Sequence, residues 1–110
     1  MPNIKIWLDD ERNPQDPITQ QQFGAISDET WIKTAEEAIQ LIESGNVSSI
    51  SLDHDLRTEK TGLDVANFIE EQAFKDKIPK LHWRIHSTNS TEKEKMEKAL
   101  KKADKFWRFK

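Results

Sequence analysis

Strand-like and helix-like apolar patterns alternate along the chain, and this alternation limits the fold more than any other feature. Residues 4–8 alternate apolar and polar side chains, which is the periodicity of a strand. Residues 34–45 contain a capping box, apolar side chains at helical spacing and a closing glycine, which together predict a helix. Such alternation favours parallel strands, because each helix returns the chain to the same end of the sheet.

The remaining segments extend this pattern. The predicted strands are residues 4–8, 30–33, 49–52, 81–85 and 105–110. The predicted helices are residues 34–45, 61–74 and 89–103. The segment 13–29 contains two prolines and no helical spacing of apolar side chains, so we expect a long loop there in place of a first helix.

Only one face of the predicted sheet is strongly apolar. The side chains on that face are Ile4, Ile6, Leu8, Ile50, Leu52, Leu81, Trp83 and Ile85. The other face carries Lys5, Trp7, Ser49, Ser51, His82 and Arg84. Right-handed crossovers place all three helices on one face if the strand order is 2-1-3-4-5. We therefore expect an α/β, flavodoxin- or receiver-like parallel sheet with helices mainly on one face, and a polar face covered by the loop, by water or by a second subunit.

The composition indicates a small core. Of the 110 residues, 35% are hydrophobic and 34% are charged, which predicts one domain, residues 1–110, with little apolar surface to spare. A homodimer through the open sheet face is one way to cover it. Charge is uneven, since residues 1–92 carry 9 basic and 17 acidic side chains while residues 93–110 carry 8 basic and 3 acidic ones.

Several classes of protein are excluded by what the sequence lacks. It contains no apolar run of membrane-spanning length and no secretory leader pattern, so we expect a cytoplasmic protein without a membrane partner. It contains no cysteine, which leaves Asp, Glu, His or water to hold any metal. It has no glycine-rich nucleotide loop, zinc-protease motif or hydrolase elbow.

Acidic side chains follow the first and third predicted strands, where the strand order reverses and where ligands bind in open α/β sheets. Asp9, Asp10 and Asp53 stand at these two strand ends. Carboxylates this close repel one another unless a cation neutralises them, and Mg²⁺ or Mn²⁺ prefers such oxygen ligands. The alternative is that these residues only end strands and make turns.

Two histidines and several polar residues lie at the same edge. Because a histidine ordinarily changes charge near neutral pH, His54 and His86 are candidates for the base and the acid in phosphodiester chemistry, alongside Asp53. Candidate substrate-binding residues are Arg12, Asp55, Ser87, Thr88 and Asn89. The alternatives are histidines hydrogen-bonded in loops, a surface arginine, and ordinary turn or helix-capping residues.

The C-terminal region is rich in lysine and aromatic residues. The residues concerned are Lys93, Lys95, Lys98, Lys101, Lys102, Lys105, Phe106, Trp107, Arg108 and Phe109. They are typical of a surface that follows phosphates with stacking rings, but also of a solvated helix face whose rings belong to the core.

Four motifs in order resemble the cyclic-phosphate processing receiver domains, a divergent branch of response-regulator receivers. The motifs are residues 6–14 (IWLDDERNP), 52–56 (LDHDL), 61–64 (TGLD) and 86–89 (HSTN), and the resemblance spans about residues 4–100. By comparison with ordinary receivers, the resemblance implies that Asp9 and Asp10 bind Mg²⁺ and that Asp53 accepts a phosphoryl group. It also implies that Ser87 or Thr88 contacts this phosphoryl group.

The chain also departs from ordinary receivers. The expected first helix is missing, a strand-ending lysine is absent unless Lys105 serves, and His54 and His86 are additions. The resemblance implies action on a cyclic phosphate, either an RNA 2′,3′-cyclic phosphate end or a cyclic nucleotide or dinucleotide, in a bacterial cell or a phage-infected host.

We therefore expect a metal-assisted phosphoesterase, with a metal-free version that uses the two histidines alone. The alternatives are a binding module that sequesters a cyclic nucleotide without cleaving it, and a phosphoaccepting receiver.

Overall fold

The computed structural model describes residues 2–56 and 59–109. Strands and helices alternate along this part of the chain. In order they are β1 (Ile4–Leu8), α1 (Pro17–Phe23), β2 (Thr30–Ile32), α2 (Ala35–Glu43), β3 (Val47–Leu52), α3 (Gly62–Phe74), β4 (His82–Ile85) and α4 (Ser90–Arg108).

The strands form a parallel sheet in the order β2-β1-β3-β4, which confirms the predicted α/β receiver-like fold. Leu8 at the end of β1 pairs with Leu52 of β3, and Leu52 pairs with Ile85 of β4. The carboxyl ends of these three strands are therefore level. The residues that follow them emerge side by side.

The predicted apolar face is the core. Its side chains pack against α2, α3 and α4, and Ile6, Leu8, Ile50, Leu52, Ile69 and Leu100 are at most 1% exposed. Right-handed crossovers place these three helices on this one face, as expected. The capping box predicted at Thr61 forms. Thr34 caps α2 by accepting from the Glu37 N–H, but its hydroxyl, not its backbone N–H, donates to the Glu37 carboxylate.

The predicted fifth strand at residues 105–110 is wrong for the part that is described, because residues 105–108 are the last turn of α4. Phe106 and Trp107 continue the helical spacing of Ala99 and Ala103 and pack against the core, so the helix has no reason to end earlier. Within residues 2–56 and 59–109, β4 is thus an edge of the sheet.

No helix in the described residues, α4 included, combines the length and apolar character needed to cross a membrane.

The predicted long loop at residues 13–29 contains a helix after all. Asp16 caps α1 by accepting a hydrogen bond from the Ile18 N–H, Pro17 occupies the first turn, and Gly24 closes the helix in the left-handed conformation. These start and stop signals are readable in the sequence. The helix lacks an apolar stripe, since only Thr19 is buried. A prediction based on the helical spacing of apolar side chains therefore could not identify it.

The segment 13–29 covers the site end of the polar sheet face, which is one of the three coverings expected from the sequence. Arg84 donates hydrogen bonds to the Gly24 carbonyl at 2.6 Å and to Glu29 at 2.8 Å, and the Trp7 indole N–H donates to the Arg12 carbonyl at 2.9 Å. Trp7 and Ser51 are fully buried beneath it. The surface predicted for a homodimer is thus partly occupied by the chain itself.

The start of α3 lies against the turn that follows β3. The Gly62 N–H donates to the His54 carbonyl at 3.0 Å, and a Cβ at position 62 would overlap the carbonyl oxygen of Asp53. Glycine is therefore required here by close approach of two backbones.

We expect Gly62→Ala to lower the free energy of unfolding by about 2 kcal/mol, because the backbone must move to relieve the overlap. Urea unfolding followed by circular dichroism measures this. Ser90→Ala, at the equivalent first position of α4, is the control and should change stability far less. Equal stability of both variants would contradict the close packing of α3 on the Asp53 turn.

Candidate functional site

The carboxylate of Asp9 is fully buried and accepts four hydrogen bonds. Its Oδ1 accepts from the backbone N–H groups of Glu11 at 2.9 Å and Arg12 at 3.0 Å. Its Oδ2 accepts from the Arg12 guanidinium at 3.0 Å and lies 3.1 Å from Nε2 of His86. Burial raises the pKa of Asp9, but the hydrogen bonds from His86 and Arg12 outweigh it and hold the pKa below its usual value.

His86 lies beside Asp9, stacked flat on the indole of Trp7 with ring centroids 3.8 Å apart. Its Nδ1 lies 2.8 Å from Oγ of Ser51. A neutral ring that donates from Nε2 to Asp9 and accepts at Nδ1 from the Ser51 hydroxyl satisfies both nitrogens. Burial lowers the pKa of His86, and the hydrogen bond to Asp9 opposes this only in part, which favours the neutral ring.

Asp53 follows β3 directly and is 5% exposed. Burial and the negative charge of Asp9 raise the pKa of Asp53 to about 6, against the opposing charge of Arg12. Its backbone N–H donates to the Leu8 carbonyl at 3.0 Å, and the His86 N–H donates to the Leu52 carbonyl at 2.9 Å. The sheet ladder therefore continues into the site and holds these side chains in register.

The Arg12 guanidinium is the cation between the two carboxylates. Its Nη1 is 3.0 Å from Oδ2 of Asp9 and 3.5 Å from Oδ2 of Asp53, and the group lies 4.1 Å from the ring centroid of Phe23 in α1. The side chain is 26% exposed, so one side of the guanidinium faces solvent. Arg12 thus joins the site to the segment that covers the polar face.

Asp9, Asp53 and His86 could hold a metal ion. Each offers one ligand atom, and these atoms lie within 4.8 Å of one another. The four hydrogen bonds of Asp9 occupy the acceptor positions of that carboxylate, which leaves Asp53 as the less committed member. Oxygen ligands with uncompensated negative charge suit a hard divalent cation, so the residues present fit such an ion.

A pocket of about 240 Å³ opens next to this cluster. Its lining consists of Asp10, Glu11, Arg12, Asp53, Asp55 and Thr88. Four of these six side chains are acidic and one is cationic. The structure thus brings predicted metal and substrate residues into one pocket, although Asp10 is not within the group of close ligand atoms.

His54 lies beside the pocket without lining it. Its Nδ1 is 2.8 Å from Oδ1 of Asp55, and its Nε2 is 3.4 Å from Oε2 of Glu92 in the first turn of α4. The side chain is 14% exposed. The two histidines therefore have different surroundings, one beside a surface pair of carboxylates and one buried against Asp9.

Ser87 and Asn89 do not line the pocket. The Ser87 hydroxyl accepts from the Asn89 N–H at 3.1 Å, and the Asn89 side chain accepts from the Glu92 N–H at 3.2 Å as the cap of α4. Lys105, considered as the receiver lysine, lies on the outer face of α4 with Lys101 and Lys102. No lysine lines the pocket among the described residues.

Sequence reasoning missed five side chains that shape the site. They are Trp7, Glu11, Phe23, Ser51 and Glu92. Trp7 and Ser51 are paired in register, so the alternation of the strands could have placed them together beside His86. Glu11, Phe23 and Glu92 come from a turn, from the unpredicted α1 and from a helix start, where no local signal marks their role.

The fold and the site define a receiver-like α/β protein with an acidic pocket at the carboxyl ends of β1 and β3. More specifically, the family described as cyclic-phosphate processing receiver domain matches residues 4–102, and the chain belongs to this family. No curated protein and no solved structure matches the sequence. The chain is therefore a receiver-like domain of a family involved in cyclic-phosphate processing, which suggests a substrate that contains phosphate.

The raised pKa of Asp53 predicts a pH-dependent cost of folding. Well below pH 4 the carboxyl is protonated in both the folded and unfolded states, and above about pH 6 it must ionise in a buried site. Stability should fall across this window by on the order of 3 kcal/mol, because the pKa is raised from 3.8 to about 6. We expect Asp53→Asn to stabilise the protein above pH 6 and to have little effect near pH 4.

Urea unfolding from pH 4 to pH 8 in the presence of a chelator measures this difference. Asp28→Asn is the control, because Asp28 is an exposed aspartate paired with Lys5, which lowers its pKa. If the increase in the free energy of unfolding caused by Asp53→Asn did not grow with pH, ionised Asp53 would not destabilise the folded protein.

Proposed function

We propose that this protein is a phosphoesterase that opens a cyclic phosphodiester with the help of a divalent cation. The substrate would be an RNA 2′,3′-cyclic phosphate end or a cyclic nucleotide or dinucleotide, in the cytoplasm of a bacterial cell or phage-infected host. The observation that supports this most is the acidic pocket beside Asp9, Asp53 and His86 in a chain of the cyclic-phosphate processing family.

A cation is proposed because the pocket alone would repel its substrate. Four carboxylates line it against one guanidinium, and a phosphate adds further negative charge. Asp9, Asp10 and Asp53 would hold Mg²⁺ or Mn²⁺, with Oδ2 of Asp9 exchanging its hydrogen bond from Arg12 or His86 for the ion. When bound, such an ion neutralises phosphate oxygens and lowers the pKa of a coordinated water.

The protein's own groups bind phosphate and move protons. Arg12 has one face toward solvent and is suited to phosphate oxygens, with Thr88 and Asp55 on the walls of the same pocket. Ser87 and Asn89 would contribute through the start of α4 that they order, where N–H groups point outward.

His54 and His86 are the proposed acid–base pair. His86 can take up a proton at Nδ1 without moving, because the Ser51 hydroxyl can rotate from donor to acceptor while Asp9 stabilises the imidazolium. His54 is the more exposed of the two and is held by carboxylates on both ring nitrogens. In this proposal one of the two histidines takes the proton of the attacking water and the other protonates the leaving ribose oxygen, with Asp53 at the same site.

Two alternatives use the same pocket. A module that only binds a cyclic nucleotide would need the phosphate contacts but no proton transfer. A phosphoaccepting receiver would use Asp53 as acceptor, but no lysine lines the pocket among the described residues to stabilise the phosphoryl group. A homodimer through the uncovered part of the polar sheet face also remains a proposal, which light scattering tests.

We expect the purified protein to hydrolyse 2′,3′-cyclic nucleotides or cyclic dinucleotides with Mg²⁺ or Mn²⁺, and not with EDTA. Product analysis by chromatography measures this. Asp53→Asn should weaken metal binding, measured by titration calorimetry, and lower turnover, whereas Asp28→Asn should do neither. Tight binding of unchanged ligand would instead support the binding module, and a phosphoaspartate formed from a small phosphodonor would support the receiver.

We expect His54→Ala and His86→Ala each to lower kcat at least about 10²-fold, the lower range for loss of general acid–base catalysis. Thermal unfolding must first show that each variant is folded, since His86→Ala leaves Asp9 and Ser51 without a partner. His86→Gln keeps a hydrogen-bonding side chain there and serves as the second variant. Wild-type rates in folded variants would remove the histidines from the mechanism.

A further inference from the structure

The outer face of α4 carries a line of exposed cations. Lys98, Lys101, Lys102, Lys105 and Arg108 line a groove of about 410 Å³ together with Asp104. Their spacing of three or four residues places them on one side of the helix. We call these five residues the basic stripe.

Most of the stripe has no internal partner. In the described part of the chain, Lys101 is 3.6 Å from Glu97, and no carboxylate pairs with Lys98, Lys102, Lys105 or Arg108. Cations are favoured at the C-terminal turn of a helix, which accounts for Lys105 and Arg108. It does not account for three lysines one or two turns earlier, where neighbouring like charges repel.

A second groove of about 250 Å³ adjoins the stripe. Lys80, Leu81, His82, Trp83 and Asp104 line it, and Asp104 belongs to both grooves. Trp83 of the edge strand β4 is half-buried against the core, and its indole N–H donates to Asp104 at 3.0 Å. Phe109, 79% exposed, lies just past the stripe. Cations interleaved with aromatic rings are typical of surfaces that bind single-stranded nucleic acid.

The helix leads from the stripe to the acidic pocket. Asn89 caps α4, Thr88 lines the pocket, and Glu92 in the first turn lies 3.4 Å from His54. The 19 residues of α4 span roughly 28 Å at 1.5 Å per residue. A polynucleotide whose last phosphate occupied the pocket could place earlier phosphates along the basic stripe. A cyclic mononucleotide is too short to do so.

We infer that the basic stripe binds the backbone phosphates of a single RNA strand whose cyclic phosphate end enters the acidic pocket. This rests on the proposed function and selects its substrate class, an RNA end rather than a free cyclic nucleotide. A regular row of cations that ends at the exposed ring of Phe109 suits a repeating polyanion whose bases can stack on that ring. An acidic peptide is the competing ligand, and the test below includes it.

The test is fluorescence anisotropy with a ten-residue oligouridylate, labelled at its 5′ end and carrying either a 2′,3′-cyclic phosphate or a hydroxyl at its 3′ end. The variant Lys101→Gln, Lys102→Gln, Lys105→Gln should raise the Kd about 10-fold or more in low salt and reduce the slope of log K against log salt by about 2. Lys5→Gln, Lys33→Gln, Lys60→Gln makes the same change of charge on β1, after β2 and before α3, away from α4, and should bind like wild type.

Three results would overturn the inference. They are equal affinity of the two triple variants, tighter binding of polyglutamate than of RNA, and no preference for the cyclic phosphate end over the hydroxyl. Hydrolysis of uridine 2′,3′-cyclic phosphate by the wild-type protein is measured separately and reports only on the proposed function. If that hydrolysis occurs and kcat/KM does not rise from the mononucleotide to the oligonucleotide, the stripe is not part of the substrate site.

Discussion

The buried carboxylate of Asp9 is the group on which the rest of the site depends. Four donors from the chain itself satisfy it, and two of them are the side chains of Arg12 and His86. Its charge also raises the pKa of Asp53. A buried charge is tolerated only when it is paired and hydrogen-bonded. Asp9 can therefore remain buried only while Arg12 and His86 stay in their present positions.

The sheet and the location of the site could be predicted from the sequence because both follow from periodicity. Alternation in the strands identified the apolar face, and parallel order brought the ends of β1, β3 and β4 together. The side-chain contacts could not be predicted. Two of these contacts are the stacking of Trp7 on His86 and the hydrogen bond between Ser51 and the His86 ring. Both depend on which side-chain rotamers fit beneath the covering segment.

The two errors in secondary structure have opposite causes. The short α1 is defined by its ends, Asp16 with Pro17 and Gly24, and has almost no buried face, so a search for apolar spacing passes over it. The end of α4 has aromatic residues that favour strands in isolation, but their positions continue the helical face. Tertiary packing decides between the two conformations in this segment.

The contact at Gly62 has a mechanical consequence. The backbones of α3 and of the Asp53 turn touch with no side chain between them, and α3 in turn packs along α4. Because the two backbones touch, the Asp53 turn cannot move toward α3 without displacing that helix. The Gly62 N–H, which donates to the His54 carbonyl, is the amide whose hydrogen exchange reports any loosening of this contact.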